Sequence, residues 1–462
     1  MTTETNGGAN ALSQKFYMSA WRWHFYAGLY VIPFMITLAV TGLMMMYINL
    51  FDGRDGEKIT VTPTGEAMAA SKLSDAVLTA QPGTIAEWIG PKSPDLATVF
   101  RVKTETGNRM VAIDQYSGEI IETWDRRAGW YDFADNIHSD LLIGTTGDRL
   151  IEIAAGLGLV LVTTGLYMWW PRGGDTSILI PNLRARGRSL WKSLHGSIGF
   201  WMSILMVVFL LSGLSWAGVW GGKFVQPWSS FPAAKWDNVP LSDATHASMN
   251  HGHTNDVPWA LEQTPMPASG SDAGQFGIPE GTPVNIDSLI ALGQSLGLPG
   301  RFRVAYPGGE TGVWTINRDS MSSDSTDPFS DTTIHVDQYT GKILADVRFA
   351  DYSAMGKTMA VSVPFHMGLM GLWNLALNTL FCLSVIFISL SGVVIWVKRR
   401  PARAARLAAP PPPAQMPHWK GAVLVGLFLS LAFPLAGLTF LGVFAFDLLI
   451  LNNIAPLRRA LS

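Results

Sequence analysis

The sequence predicts a membrane α-helical bundle, a duplicated four-helix core plus a fifth span, carrying two α+β domains outside the bilayer. Three observations lead there. Only 15% of the 462 residues are charged, against about 25% in a soluble domain, and uncharged runs of membrane-spanning length account for the deficit. Four of those runs each carry one histidine near an end: His24, His138, His195 and His366. The long segments after the first and third runs close on one motif, Asp114-Gln115-Tyr116-Ser117-Gly118 and Asp337-Gln338-Tyr339-Thr340-Gly341.

The runs divide the chain into a tail at 1–20, spans at 21–48, 150–171, 193–220, 361–398 and 421–451, and a tail at 452–462. Between them lie long segments at 49–149 and 221–360, a loop at 172–192 and a Pro-rich linker at 399–420. Lys15 and Arg22 precede or open the first run, and no small-residue cleavage site follows it, so a retained anchor is expected. Arg172, Arg184, Arg186, Arg188 and Lys192 face the single acid Asp175 in one short loop. Lys398, Arg399, Arg400, Arg403, Arg406 and Lys420 face none in the other. Short basic loops stay in the cytoplasm. The N-terminus and both loops are therefore expected inside and the long segments outside; Arg458 and Arg459 mildly oppose an outer C-terminus. A net charge of −2 singles out no partner, and no nucleic acid is expected. Cys382 is the lone cysteine, so there is no intramolecular disulfide, and without Cys-x-x-Cys-His any haem would be non-covalent and b-type.

In the first outer segment Ile59-Thr60-Val61 reads as a strand and Leu73 to Ala80 as a short helix capped by Ser71 or Ser74. Residues 98–103 and 110–113 alternate across Thr106-Gly107-Asn108 as a hairpin does. In the second, Ile286 to Leu296 reads as a helix, with strands at 302–306 and 313–316. The unit of span, α+β segment and span thus occurs twice. Pro410 to Pro413 form an extended linker, and Pro434 predicts a kink in the fifth span, which has no histidine.

His24 and His195 each open a run as His-x-x-x-Gly behind a tryptophan, and each reaches a small-residue pair, Thr41-Gly42 or Ser212-Gly213, whose glycine lies 18 residues on. His138 and His366 precede Thr164-Gly165 and Ser391-Gly392 by longer distances, 27 and 26 residues to the glycine. Alternating span directions put His24 and His195 at the cytoplasmic level and His138 and His366 at the outer one. Eighteen helical residues rise about 27 Å, the depth of the hydrocarbon core. Two histidines at each level can supply both axial ligands of a haem, giving two stacked six-coordinate haem b groups suited to electron transfer and not to O₂ binding. Gly28 and Gly199, one turn from a ligand, would let a flat porphyrin approach; Arg22, Trp23 and Lys192 could hold propionates. A lone interfacial histidine beside tryptophan is commonly an anchor. Four of them, paired by a repeat, favour ligation, because ionisable groups within spans are as a rule functional. His138 stands ahead of its apolar run and needs a helical lead-in.

His246, Met249, His251 and His253 form a second cluster, in the second outer segment. Imidazole and thioether ligands suit copper or another late transition metal; the alternative is a flexible polar loop. His335 reads as a structural strand residue and His418 as an interfacial one.

The His-x-x-x-Gly openings, the Asp-Gln-Tyr-Ser/Thr-Gly turns and the helix ends Trp169-Trp170-Pro171-Arg172 and Trp396-Val397-Lys398-Arg399 resemble the PepSY-associated transmembrane family, over roughly residues 15–400. The resemblance implies a bacterial inner-membrane protein with PepSY-like periplasmic domains and two haem b groups. It implies electron transfer to a ferric siderophore outside, with His24, His138, His195 and His366 as iron ligands. The fifth span and the His/Met insertion depart from the simple four-helix pattern. No Gly-x-Gly-x-x-Gly motif follows a strand, so the donor would be a quinol in the bilayer or a flavin reductase at the basic loops. The rival readings are a non-catalytic membrane sensor or scaffold and a copper-handling protein using His246 to His253.

Overall fold

In a computed structural model the described residues are 4–170, 179–231, 236, 238–250, 257–400, 407, 409–410, 427–428 and 430–446. The helices and strands, in chain order, begin with α1 (Glu4–Phe51), α2 (Ala70–Ala80), β1 (Thr84–Ile89), β2 (Thr98–Thr104), β3 (Gly107–Ile113) and β4 (Ile120–Asp125). Next come α3 (Trp130–Asp140), α4 (Thr145–Trp169), α5 (Gly187–Leu214), β5 (Leu241–Thr245), β6 (Pro265–Pro267) and α6 (Ile286–Ser295). The last are β7 (Arg303–Ala305), β8 (Val313–Arg318), β9 (Thr332–Asp337), β10 (Ile343–Arg348), α7 (Ala354–Met367), α8 (Leu372–Val397) and α9 (Pro434–Phe446). The chain forms two compact units. One comprises Met1–Leu43, Asp135–Gln226 and Leu377–Ser462, the other Met44–Ala134 and Pro227–Ala376.

The first unit is helical. Among the described residues four helices are long and apolar enough to cross a bilayer: Phe16–Phe51 of α1, α4, α5 and α8. The chain is a membrane protein. Apolar side chains gain little by leaving lipid for each other, so these helices associate through close backbone approach at small residues. In α4, Ala154, Ala155, Gly156 and Gly158 are buried. A Cβ on Gly156 would stand 2.7 Å from that of Ala436 in α9, and one on Gly158 would meet Leu210 of α5 at 3.1 Å. The part of the fifth span that is described therefore docks on α4. Pro434 opens α9, and the expected kink is a break in the helix at Phe433.

Two long helices are preceded by a short one that ends in a left-handed turn. α3 stops at Asp140 and is followed by positive φ at Leu141 (56°), Leu142 (60°) and Gly144 (61°). α7 stops at Met367 and is followed by Gly368 (78°) and Gly371 (91°). The span expected as one helix at 361–398 is thus two, α7 and α8, and His366 ends the first. His138 likewise has its own lead-in helix.

The second unit holds the β structure. Two antiparallel meanders, β1-β2-β3-β4 and β7-β8-β9-β10, each preceded by a helix, join through β1 and β7 into one eight-stranded sheet of order β10-β9-β8-β7-β1-β2-β3-β4. The segments expected as two separate domains therefore share a sheet. Alternation along each strand divides its faces. Trp88, Phe100, Val102, Val111, Ile316, Ile334 and Val336 pack under Leu73 and Val77 of α2 and Leu289 and Leu292 of α6. Ile89, Val99, Met110 and Ala112 pack on the other side with Trp124. α2 and α6 are tied by Ser71, whose backbone N–H and hydroxyl donate to Asp287 at 3.1 and 2.5 Å. Neither Ser71 nor Ser74 caps α2; Ser74 donates to Ala70 O inside the helix. The strand expected at 59–61 is a single bridge, Thr60 to Leu96.

The repeat holds atom by atom at the two turns. Asp114 and Asp337 each accept from the N–H of the following tyrosine, Tyr116 or Tyr339, at 2.8 Å. Gly118 and Gly341 take the positive φ (75° and 67°) that closes each turn. Tyr116 and Tyr339 donate to the carbonyls of Pro94 and Glu310 at 2.9 and 2.8 Å.

Candidate functional site

Three of the four span histidines lie in the helical unit, and each is held through Nδ1 by the hydroxyl of a small-residue pair on another helix. His24 of α1 meets Thr164 of α4 at 3.0 Å. His138 of α3 meets Thr41 of α1 at 2.9 Å. His195 of α5 meets Ser391 of α8 at 2.9 Å. Three of the four Thr-Gly and Ser-Gly pairs, which in the sequence only mark distances along a span, are the partners of histidines elsewhere. The glycine makes room for the ring: a Cβ on Gly165 would come within 3.2 Å of His24 Cε1, and Cβ atoms on Gly42 and Gly392 would touch His138 and His195 at 3.7 and 3.6 Å.

These bonds also choose the tautomer. A hydroxyl has one proton to give. Thr164 donates its proton to Val160 O (2.6 Å), Thr41 to Thr37 O (2.8 Å) and Ser391 to Ile388 O (2.9 Å). Each hydroxyl must then accept from the imidazole. The Ile388 carbonyl, 3.1 Å from His195 Nδ1, can only accept. Carbonyls of Leu161 and Leu38 serve His24 and His138 in the same way. The proton therefore sits on Nδ1, and Nε2 keeps its lone pair, the state that binds a metal.

His24 and His195 face each other, ring centres 6.3 Å apart and planes at 82°. Two metal–nitrogen bonds of about 2.0 Å, plus about 1.1 Å from each nitrogen to its ring centre, span about 6 Å, so one iron fits between them. Beside them a Cβ on Gly199 would meet nothing within 4 Å, and one on Gly28 would meet only Leu161 Cδ2 at 3.9 Å. That open flank suits a flat macrocycle. Trp169, at the end of α4, lies against Gly196, where a Cβ would overlap its ring, and its buried Nε1–H has no hydrogen-bond partner among the described residues. A buried donor without an acceptor is costly; a carboxylate such as a haem propionate would satisfy it. In the sequence Trp169 marks only the end of a helix.

The other expected residues fall in various places. Arg22 lies over the Tyr26 ring at 5.3 Å and donates to Pro410 O, Trp23 is exposed, and Lys192 is exposed. Arg399 lies over Trp21 and Phe25, at 4.9 and 5.3 Å. His366 occupies the last turn of α7 and belongs to the second unit, whereas His138 belongs to the first.

In the second unit His246 is fully buried, its Nε2 2.8 Å from Nε2 of His335. Burial lowers the pKa of His246 to about 4 and holds that of His335 well below its ordinary value, His246 adding to the effect on His335. Met249 is half-buried, and His251 and His253 lie outside the described residues. Here the sequence was misleading: His335, read as a plain strand residue, is the partner of His246.

A family model described as the PepSY-associated TM region matches residues 21–399. No curated protein matches the chain.

Proposed function

The chain belongs to the PepSY-associated TM region family, and from that premise we propose that it is a di-haem b oxidoreductase of the bacterial inner membrane. It passes electrons outward to a ferric siderophore or similar Fe³⁺ chelate on the periplasmic side, releasing Fe²⁺. The observation that carries this reading is the pair His24 and His195, ring centres 6.3 Å apart, each with Nδ1 occupied by a hydroxyl and Nε2 left free to bind a metal. Bound there, haem b supplies a one-electron carrier held by two neutral nitrogens.

The residues divide the remaining work. Thr164 and Ser391 fix both imidazoles in the ligating tautomer. Gly28 and Gly199 leave the flank open, and Trp169 Nε1–H, with Arg22 and Trp23 close to His24 and Lys192 close to His195 in the sequence, provides for propionates. The repeat in the sequence assigns His138, which Thr41 orients, and His366 to the second haem. Arg184, Arg186, Arg188 and Lys398 to Arg400 give the cytoplasmic side a basic surface where a soluble flavin reductase would dock; a quinol from the bilayer is the other donor. Hard oxygen chelators hold Fe²⁺ more weakly than Fe³⁺, so reduction releases the metal.

The test is an absorption spectrum of the detergent-purified chain, expressed with ample haem, before and after dithionite, with a pyridine haemochrome count. Two haem b per chain, with a Soret band that shifts on reduction, is the expected result. A colourless protein overturns the reading and leaves the sensor or scaffold alternative.

A further inference from the structure

The buried pair His246 and His335 is not used by the reading above. His335 stands in the middle of β9, directly opposite Thr315 of β8 and Ala345 of β10. His246 begins the 3₁₀ turn after β5. Neither imidazole is exposed to solvent. Their outer nitrogens are both anchored, His246 Nδ1 on Thr264 O at 2.7 Å and His335 Nδ1 on the Thr315 hydroxyl at 2.9 Å. A carbonyl only accepts, so His246 carries its proton on Nδ1 and presents a lone pair from Nε2. The one proton between the Nε2 atoms then belongs to His335, and Thr315 donates to His335 Nδ1.

Two imidazoles in the interior of an outer domain are costly to desolvate, and a valine at either position would pack without that cost. Around them the donors are soft and uncharged. Met249 Sδ lies 4.0 Å from the same Thr315 hydroxyl, and Met249 packs in the cluster of Phe231, Trp236 and Val347. Met266 Sδ lies 3.9 Å from the hydroxyl of exposed Ser248, so a second thioether stands near the surface. The Trp236 ring packs against both imidazoles, at 6.0 and 6.3 Å between centres and inclined to each by 53° and 65°. Among the described residues no group of three His, Cys, Asp or Glu side chains could hold a metal, so a dication would find no compensating carboxylate here.

We infer that His246, His335 and Met249 form a binding site for a soft monovalent cation, Cu(I), separate from the membrane histidines. The metal takes the place of the shared proton, bonded to both Nε2 atoms. The His335 proton moves to Nδ1 and is donated to Thr315, so no proton is released and no electron is transferred. The Nε2 atoms separate from 2.8 Å to as much as about 4 Å, two bonds of about 2.0 Å in line. Met249, with three rotatable side-chain bonds, swings in as the third ligand, and the indole face caps the cation. Thioether and imidazole select Cu(I) over hard cations.

The experiment is an anaerobic Cu(I) titration of the full detergent-purified chain against a chromophoric Cu(I) chelator, followed by copper X-ray absorption. One Cu(I) per chain with two nitrogen and one sulfur neighbours is expected. His246→Gln and His335→Gln should weaken retention by more than about 100-fold, and the volume-conserving Met249→Leu by about 10-fold, with haem content unchanged in all three. A His251→Ala/His253→Ala variant should retain the metal. The inference is overturned if the chelator strips all copper, or if His335→Gln folds, judged by its melting curve, and binds Cu(I) as the parent does. It is overturned equally if copper is lost with His251 and His253 and not with Met249→Leu.

Discussion

Nδ1 of His24 stands 3.0 Å from Oγ1 of Thr164, a residue 140 positions further along the chain. The hydroxyl proton is committed to Val160 O, so the imidazole must donate to Thr164. Thr164→Val keeps the shape and removes the acceptor. It should lower haem retention at that site by about 10- to 100-fold, the usual effect of losing a partner of a ligating histidine, while Thr164→Ser restores it. Haem per chain against washing with apomyoglobin reads the difference.

Pairing is tested by single replacements. His24→Ala and His195→Ala should each remove the same spectral species, leaving one haem per chain, because the two rings face across one site. His138→Ala and His366→Ala should remove the other. Low-temperature α-band spectra separate the two; four independent effects would falsify the pairing.

Gly199 offers a test of the open flank. Helix propensity favours any ordinary side chain over glycine by several tenths of a kcal/mol, and nothing lies within 4 Å of a Cβ there. Gly199→Leu should therefore leave the apoprotein as stable as before and still lose haem. A variant with full haem occupancy would show that the flank holds nothing flat.

The second unit should depend on pH in two opposite ways. Burial raises the pKa values of Asp319 and Asp331, and repulsion adds to it, from Asp324 on Asp319 and from Asp319 on Asp331. Groups raised on folding bind protons more tightly folded than unfolded, so their contribution is present in acid and is lost as pH rises above the ordinary carboxylate range. Asp331→Asn should flatten the fall in melting temperature toward alkaline pH. Asp55 is the reverse case: burial opposes its charge, but Arg126 and Arg303 outweigh burial and hold its carboxyl below its ordinary pKa. Its contribution is present at neutral pH and lost as pH falls below that ordinary value. Circular-dichroism melts across pH, parent against Asp331→Asn and Asp55→Asn, separate the two limbs.

Much of this was legible in the sequence because it rests on local pattern. The apolar runs, the β2–β3 hairpin and the paired aspartate turns come from spacing and turn chemistry within a few residues. The four histidines stood out through repetition. What stayed hidden depends on long-range pairing. Thr41, Thr164 and Ser391 looked like spacers because their partners lie on other helices, and His335 looked inert because only the β8–β9 register and a loop 89 residues upstream reveal His246. The break between α7 and α8 is hidden for another reason: Gly368 to Gly371 is too short to interrupt a hydropathy window.

The antiparallel pairing of β1 with β7 leaves the two meanders symmetric about the contact of Trp88 with Val304. Cut there, each half would present a bare row of backbone donors and acceptors, the kind of margin that recruits foreign strands. Neither copy of the duplicated segment is a self-sufficient module, and each serves as the other's missing neighbour. Excising one half of that sheet would leave a sticky remnant and not a smaller working protein.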